Sequence, residues 1–266
     1  MQENRKNNFL ISIIMNCHNG EKHLYESLNS IINQSYKNWE LIFWDNMSSD
    51  SSPNIVKNIN DNRIKYFSSN KFEKLYKARN LALEKCTGDF ICFLDTDDFW
   101  SKKFLQKCLD QIIKCNCNIV YSKYFIKNEI KNKIYLNEKK ELPSGIITKS
   151  LFKKYLIGIN AIFLKREVFE KQKFNSEYQI IGDFDFFMRL SFKNEFYAIQ
   201  EPLLTYRHHN ANFTNKNMNL YVREYNNWIK NNEKEIQNNY YLLLLKYNGL
   251  KLKFKLIILK LKELIL

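Results

Sequence analysis

Residues 90–98 read FICFLDTDD, an unbroken apolar run that stops abruptly in three carboxylates, Asp95, Asp97 and Asp98. A run this short and this apolar suits a strand buried on both faces of a parallel sheet. Its carboxyl end then lies on the rim of the sheet, where open α/β folds bind ligands. Three like charges within four residues repel one another unless a cation sits among them. A divalent metal bridging to a phosphate resolves that repulsion at least cost. A solvated turn, with Asp98 capping the next helix, is the competing reading of this segment.

Outward from this stretch the same pattern recurs. Residues 10–15 form an apolar run ending in Asn16-Cys17-His18-Asn19-Gly20, and Leu24, Leu28, Ile31 and Ile32 then fall on one helical stripe. Residues 40–44 predict a second strand, closing on the turn and capping residues 45–50. A short helix over 55–59, a third strand over 64–67 and a helix over 75–85 lead back to FICFLDTDD. Four strands alternating with three helices predict an α/β domain with a mainly parallel sheet. The polar clusters at 16–20, 45–50 and 95–98 each end a strand of that sheet, so they are expected to share one crevice.

Beyond Trp100 the pattern changes. A helix is expected over 104–113, a strand over 119–124, and a surface hairpin or loop over the polar residues 127–140. Residues 151–168 mix helix and strand signals. GDFDFFMRL (182–190) puts Asp183 and Asp185 at the opening of an apolar helix, and 196–199 and 203–206 suggest two closing strands. From about residue 215 the chain is helical, apolar and basic. These signals divide it into a main domain, 1–214, itself divided at about residue 100, and a basic helical tail, 215–266.

The chain has 266 residues, with 6 Gly and 3 Pro, too few for long flexible linkers. Its polar start and short first apolar run do not suit a signal peptide. No apolar run approaches the roughly 18 residues that cross a bilayer. Six cysteines without paired zinc spacing predict reduced, mostly buried thiols and a cytoplasmic setting. A net charge of +14 implies an anionic partner: nucleic acid, an acidic membrane or a phosphorylated substrate. Asp97 and His209 are candidates to hold a divalent ion, with Asp95 and Asp98 in contact with it or just behind. Hard oxygen donors suit Mg²⁺ or Mn²⁺, and the imidazole tilts the choice toward Mn²⁺. So few protein ligands leave positions for a substrate diphosphate.

Five motifs occur in a specific order: ISIIMNCHNGEKHLYESLNSIINQSYKNWELIFWDNMSSD (11–50), KARNLAL (77–83), LDTDD (94–98), GDFDFFMRL (182–190) and YRHH (206–209). Together they resemble an inverting family 2 glycosyltransferase of the GT-A fold, of the kind that builds bacterial surface polysaccharide, across roughly residues 10–213. The resemblance implies that 1–214 is the catalytic domain, with a donor-binding half over about 1–100 and an acceptor and catalytic half over about 101–214, and that Asp45 bonds the nucleotide base, normally uracil. It implies that Asn16, Arg79 and Asn70 neighbour the base and diphosphate. Asp97 with Asp95 becomes the metal-bearing pair, His209 the imidazole closing that site, and Asp183 the catalytic base. Three positions depart from the family pattern. His18 stands where Tyr is usual, Trp44 where a second Asp is common, and Gly182 where Glu usually precedes the base. The implied chemistry is a single displacement. Asp183 takes the acceptor hydroxyl's proton, Arg79 and the metal stabilise the departing nucleoside diphosphate, and the anomeric carbon inverts.

Other readings compete. Asp183 can serve as a helix cap, and Asp185 is read as structural; His18, His23 and His208 receive no role. A sugar nucleotidyltransferase shares the sheet and the carboxylates but needs a Gly-rich phosphate loop, which residues 16–20 do not supply. A basic nucleic-acid binder explains the charge but not three carboxylates in a crevice, so no nucleic-acid partner is expected. The expected partners are a nucleotide-sugar and a glycan or lipid-linked acceptor, in polysaccharide or lipooligosaccharide synthesis; a homo-oligomer is left open. In the tail, Lys251, Lys255 and Lys262 fall opposite Lys246, Lys253 and Lys260, which is not a single-faced amphipathic helix. Lysine stems can snorkel, and peripheral contact of 240–266 with an anionic membrane is favoured over packing on the catalytic domain or a second subunit, because the tail is apolar and basic and the family it resembles often glycosylates lipid-borne acceptors. That contact would hold the chain at the inner face of the cytoplasmic membrane.

Overall fold

The computed structural model of the chain describes residues 8–236 and 238–265, with side chains described through residue 259. Lys260 and Lys262, named above, therefore lie outside the described side chains. The amino half runs β1 (Ile11–Cys17), α1 (Glu21–Ile32), β2 (Trp39–Asp45), α2 (Ser52–Lys57), β3 (Ile64–Ser68), α3 (Leu75–Leu83) and β4 (Phe90–Phe93). Its four strands are parallel and ordered β3-β2-β1-β4.

The apolar runs follow from burial on both faces. Alternate side chains point to opposite sides of a strand. Ile14, Ile42 and Ile91 pack with Ala78 and Ala82 of α3, whereas Ile13, Met15, Leu41, Phe43 and Cys92 pack with Leu24, Leu28 and Ile31 of α1. The chain winds outward from β1 to β3 and then returns to set β4 on the other side of β1. This reversal opens a crevice beyond the carboxyl ends of β1 and β4. Asn16 and the Asp95–Asp98 loop stand at those two ends.

One buried charge ties this half together. Glu40 on β2 accepts hydrogen bonds from Ser12 Oγ (2.6 Å), Thr87 N (2.7 Å), Thr87 Oγ1 (2.9 Å) and Lys65 Nζ (2.6 Å). It thereby links β1, β2, β3 and the turn before β4, and its desolvation is offset because both oxygens are satisfied.

The second half comprises β5 (Phe99–Trp100), α4 (Phe104–Cys115), β6 (Ile119–Asn128), β7 (Lys133–Leu136), α5 (Thr148–Lys153), a 3₁₀ turn (Ile159–Ala161), β8 (Ile162–Lys165), α6 (Glu167–Lys171), α7 (Gly182–Ser191), β9 (Phe196–His208), α8 (Phe213–Lys216), α9 (Met218–Asn232) and α10 (Asn239–Ile265). The sheet continues β4-β8-β6-β9-β5, with β8 antiparallel to β4 and β6, and β7 completing a hairpin with β6. The two closing strands expected over 196–206 are one strand of 13 residues. The polar Gln200-Glu201-Pro202 break interrupts the hydrophobic pattern, but the backbone absorbs it in a register shift against Ser122–Tyr124. Proline, lacking an N–H, is tolerated at such an irregularity.

α9 is built into the core. Tyr225, Trp228 and Ile229 join the cluster around Phe184 and Phe186 of α7. Trp228 Nε1 donates to Asp185 Oδ1 at 2.9 Å, and Arg189 Nε donates to Asp185 Oδ2 at 2.9 Å, so Asp185 is a structural anchor. No helix among the described residues is long and apolar enough to cross a membrane.

Candidate active site

A crevice of about 730 Å³ opens at the carboxyl edge of the sheet. Seven of the residues singled out from sequence line it: Asn16, Arg79, Asp95, Asp97, Asp98, Asp183 and His209. Asp45 and Asn70 do not. Asp45, at the end of β2, is buried and its oxygens are engaged: Tyr66 Oη donates to Oδ2 at 2.6 Å and Ser48 N to Oδ1 at 2.9 Å. Its neighbour Asn46 lines the crevice instead. Asn70 is exposed on the loop after β3.

Asn16 stands at the end of β1, and both its Oδ1 and Nδ2 are buried without a hydrogen-bond partner. A buried carboxamide with all its capacity unused marks a place where a ligand or water is to bond. Across the crevice, Arg79 of α3 is only 3% exposed and donates to Asp95 Oδ1 at 2.7 Å. Asn160, in the 3₁₀ turn before β8, organises the acidic loop. Its Nδ2 donates to Asp95 Oδ2 (3.0 Å) and Asp98 Oδ2 (2.5 Å), and its Oδ1 accepts from Asp95 N at 3.1 Å.

The three aspartates have different environments. Asp98 is fully buried, accepts from Arg207 N at 2.7 Å, and so fastens the acidic loop to the end of β9. Burial first, then the charges of Asp97 and Asp95, push its pKa well above the ordinary carboxylate range. Arg207 completes the fastening through Asp97 O (2.8 Å), Glu129 (2.8 Å) and Glu26 (2.5 Å). Asp97 faces outward: its Oδ2 lies 3.1 Å from His209 Nε2 and 3.2 Å from Asn212 Nδ2.

The donor set tests whether a metal fits. Among the described residues no group of three or more His, Cys, Asp or Glu is arranged to hold one. A closed structural site, which needs four protein ligands, is not what these residues build. One carboxylate oxygen beside one imidazole nitrogen does suit a hard divalent cation that draws its remaining ligands from phosphate oxygens and water.

Asp183 occupies the first turn of α7. Tyr76 Oη lies 3.0 Å from its Oδ1 and Tyr155 Oη 3.3 Å from its Oδ2. Burial raises its pKa, against the lowering pull of Arg79 and of its hydrogen bonds. The loop leading into it is pinned by Glu224 of α9, which accepts from Gln179 N (2.9 Å), Ile180 N (2.9 Å) and Ile181 N (3.2 Å). Gly182 has a steric reason. A Cβ there would lie 2.3 Å from Tyr76 Cδ2 and 2.4 Å from its Cγ. Any larger residue excludes the tyrosine ring, so the missing carboxylate is exchanged for a phenol that bonds Asp183 directly.

Asn160, Tyr76, Tyr155, Asn212 and Glu224 escaped sequence reading. Gly182, a small residue where a large one is usual, hinted at one of them, Tyr76.

A model of glycosyl transferase family 2 matches residues 12–173, more than half of the chain. The Escherichia coli UDP-Glc:alpha-D-GlcNAc-diphosphoundecaprenol beta-1,3-glucosyltransferase WfgD is 35% identical over 158 residues, covering 59% of this chain and 61% of WfgD. The amylovoran biosynthesis glycosyltransferase AmsB of Erwinia amylovora is 30% identical over 212 residues, covering 73% of this chain and 68% of AmsB. Thus the chain spans about three-fifths to two-thirds of the length of these relatives. Among solved structures, S. aureus TarS 1–349 in complex with UDP-GlcNAc superimposes with a TM-score of 0.65 at 18% identity, over 81% of this chain and 66% of that one. Mannosyltransferase PcManGT from Pyrobaculum calidifontis, in complex with GDP-Man and Mn²⁺, gives 0.61 at 14% identity, over 90% and 68%. These likenesses establish the GT-A fold, and with the matched model and the curated relatives they carry one conclusion: the chain belongs to glycosyl transferase family 2.

Proposed function

We propose that this protein transfers a sugar from a UDP-sugar to a hydroxyl of a glycan or lipid-linked acceptor in bacterial polysaccharide or lipooligosaccharide synthesis, with inversion and with a divalent metal. The observation carrying this reading is that the desolvated Asp183 and the Asp97–His209 pair open onto one crevice. UDP as the carrier is supported by the UDP-Glc donor in the name of WfgD and the UDP-GlcNAc in the TarS complex. A lipid-linked acceptor is supported by the diphosphoundecaprenol of WfgD, and its setting would be the inner face of the cytoplasmic membrane.

The roles follow from the chemistry of the side chains. Asp183 takes the proton of the attacking hydroxyl; its raised pKa makes it a stronger base than an exposed aspartate. Arg79, buried beside Asp95, presents a fixed positive charge to the donor's diphosphate. Asn16 offers its unused carboxamide to the nucleotide. Asp97 and His209, with Asp95 close by, would hold Mn²⁺ or Mg²⁺, which when bound neutralises charge on the leaving diphosphate. Asp45 and Asn70 lie outside the crevice lining, and Asn46 is the better-placed neighbour of a base.

The test is a thermal-shift series of nucleoside diphosphates and their sugars with and without Mn²⁺, followed by UDP release from the stabilising donor. Binding to the folded state alone raises the transition temperature as concentration exceeds Kd. UDP-sugars are expected to stabilise more with Mn²⁺ than without. UDP release should disappear in Asp183→Asn with binding intact, and should disappear in Asp97→Ala as it does when EDTA removes the metal. Stabilisation by no nucleotide, or full turnover by Asp183→Asn, overturns the reading.

A further inference from the structure

α10 carries two apolar faces. On the inner one, Tyr241, Leu242, Leu245 and Leu252 pack against the core cluster. On the outer one, Tyr240, Leu243, Tyr247, Leu250, Phe254 and Ile257 are 53–65% exposed. Their spacing alternates three and four residues, which on a helix of 3.6 residues per turn draws one straight seam. Lys246 and Lys253 border this seam on one side and Lys251 and Lys255 on the other, all four exposed. The two lysine rows that looked contradictory in the sequence are therefore the margins of a single outward stripe.

Charge chooses the occupant. No acidic residue occurs from 238 to 262. Paired with a second copy, the seam would bring lysine rows against lysine rows, because the residues flanking a coiled-coil seam face their counterparts. An apolar stripe with basic margins instead matches the boundary between acyl chains and anionic headgroups, where lysine stems lie along the apolar layer and their ammonium groups reach the phosphates. We propose that α10 seats this seam on the surface of an anionic lipid bilayer. The helix lies in the plane of that surface rather than across it. The binding itself does not depend on the proposed transfer activity; only its use, in meeting a lipid-linked acceptor, does.

The experiment is co-sedimentation of the full chain with vesicles of phosphatidylcholine alone or mixed with phosphatidylglycerol, without donor or acceptor. Sedimentation is expected only with the anionic vesicles, weakening as salt rises. It should fall about a hundredfold in affinity in a Lys251→Glu, Lys253→Glu, Lys255→Glu variant, and be lost in Leu250→Glu, Phe254→Glu. Circular dichroism of the variants should match the parent, since every altered side chain is exposed. No preference for anionic vesicles overturns the proposal. So does a dimer in sedimentation equilibrium that Leu250→Glu dissociates, which would give the seam to a second copy.

Discussion

Replacing Tyr76 by Phe isolates one hydrogen bond to the proposed base. The phenol oxygen lies 3.0 Å from both Asp183 Oδ1 and Ile180 O. While Asp183 is ionised, the phenol donates to it. Once Asp183 holds a proton, the acid donates to the phenol oxygen and the phenol turns to Ile180 O. Tyr76 thus bonds both states, and only the difference moves the pKa. A bond to an ionised partner contributes about 1.5–3 kcal/mol and one between neutral groups about 0.5–1.5. The ionised form therefore loses about 1 kcal/mol more in Tyr76→Phe. At 1.36 kcal/mol per unit, that is a rise of roughly 0.7–1 pH unit in the pKa of Asp183.

The assay is kcat/KM for UDP release against pH, which reports the ionisation of the free enzyme. The acid limb should move upward by roughly one unit. The rate should then fall up to about tenfold on that limb and little on the plateau. Tyr155, more distant at 3.3 Å, still bonds Oδ2 in this variant and should shift the limb less when it is itself changed to Phe. A limb that stays in place while the rate drops equally at every pH would reduce Tyr76 to packing. A limb that moves down would show the phenol favours the protonated acid.

Gly182→Ala is expected to lower stability by about 1–3 kcal/mol, measured by urea denaturation, because the new Cβ cannot coexist with the Tyr76 ring. In a Tyr76→Ser background, which has its own cavity cost, the added Gly182→Ala should cost much less; an undiminished cost would show that another contact requires the glycine. Glu40→Gln removes the charge opposite Lys65 and should cost about 2 kcal/mol at neutral pH. The Glu40 pKa is lowered in the fold: desolvation opposes ionisation, but the bonds from Lys65, Ser12 and Thr87 outweigh it. Its contribution is therefore full above the ordinary glutamate value and lost as pH falls through the lowered folded one, so parent and variant should converge only once the pH has dropped below that lowered value.

Much of the architecture was legible because its signals are local. The β1 and β4 runs are covered on both faces, so they are apolar almost throughout, with Ser12 admitted because Glu40 accepts its hydroxyl, and the reading followed. The carboxyl ends of parallel strands must share a rim, so Asn16 and Asp95–Asp98 could be brought together before any coordinates. The role of Asp183 came from a motif resemblance, and only the fold put it in the same crevice as Asp97 and His209. Asp45 shows the limit of motif position. Its place at the end of β2 was read correctly, but the turn at Ser48 and the Tyr66 phenol hold its oxygens away from the crevice.

What sequence could not deliver were pairings between distant positions, each meaningless until folding joins them. Asn160 sits in a 3₁₀ turn with no pattern of its own, yet it bonds two of the three aspartates. Glu224 belonged to a stretch read as the start of a tail, and it holds the backbone that leads to Asp183. The tail itself shows the physical cause most clearly. Apolar residues all round α10 blur any one-sided pattern, because one face is covered by protein and the opposite face is not. The exposed seam emerges only after the buried side chains are subtracted. A helix with two apolar faces separated by lysines can be read only when the core beneath it is known, and the face left outside is the one we propose for a surface of opposite charge.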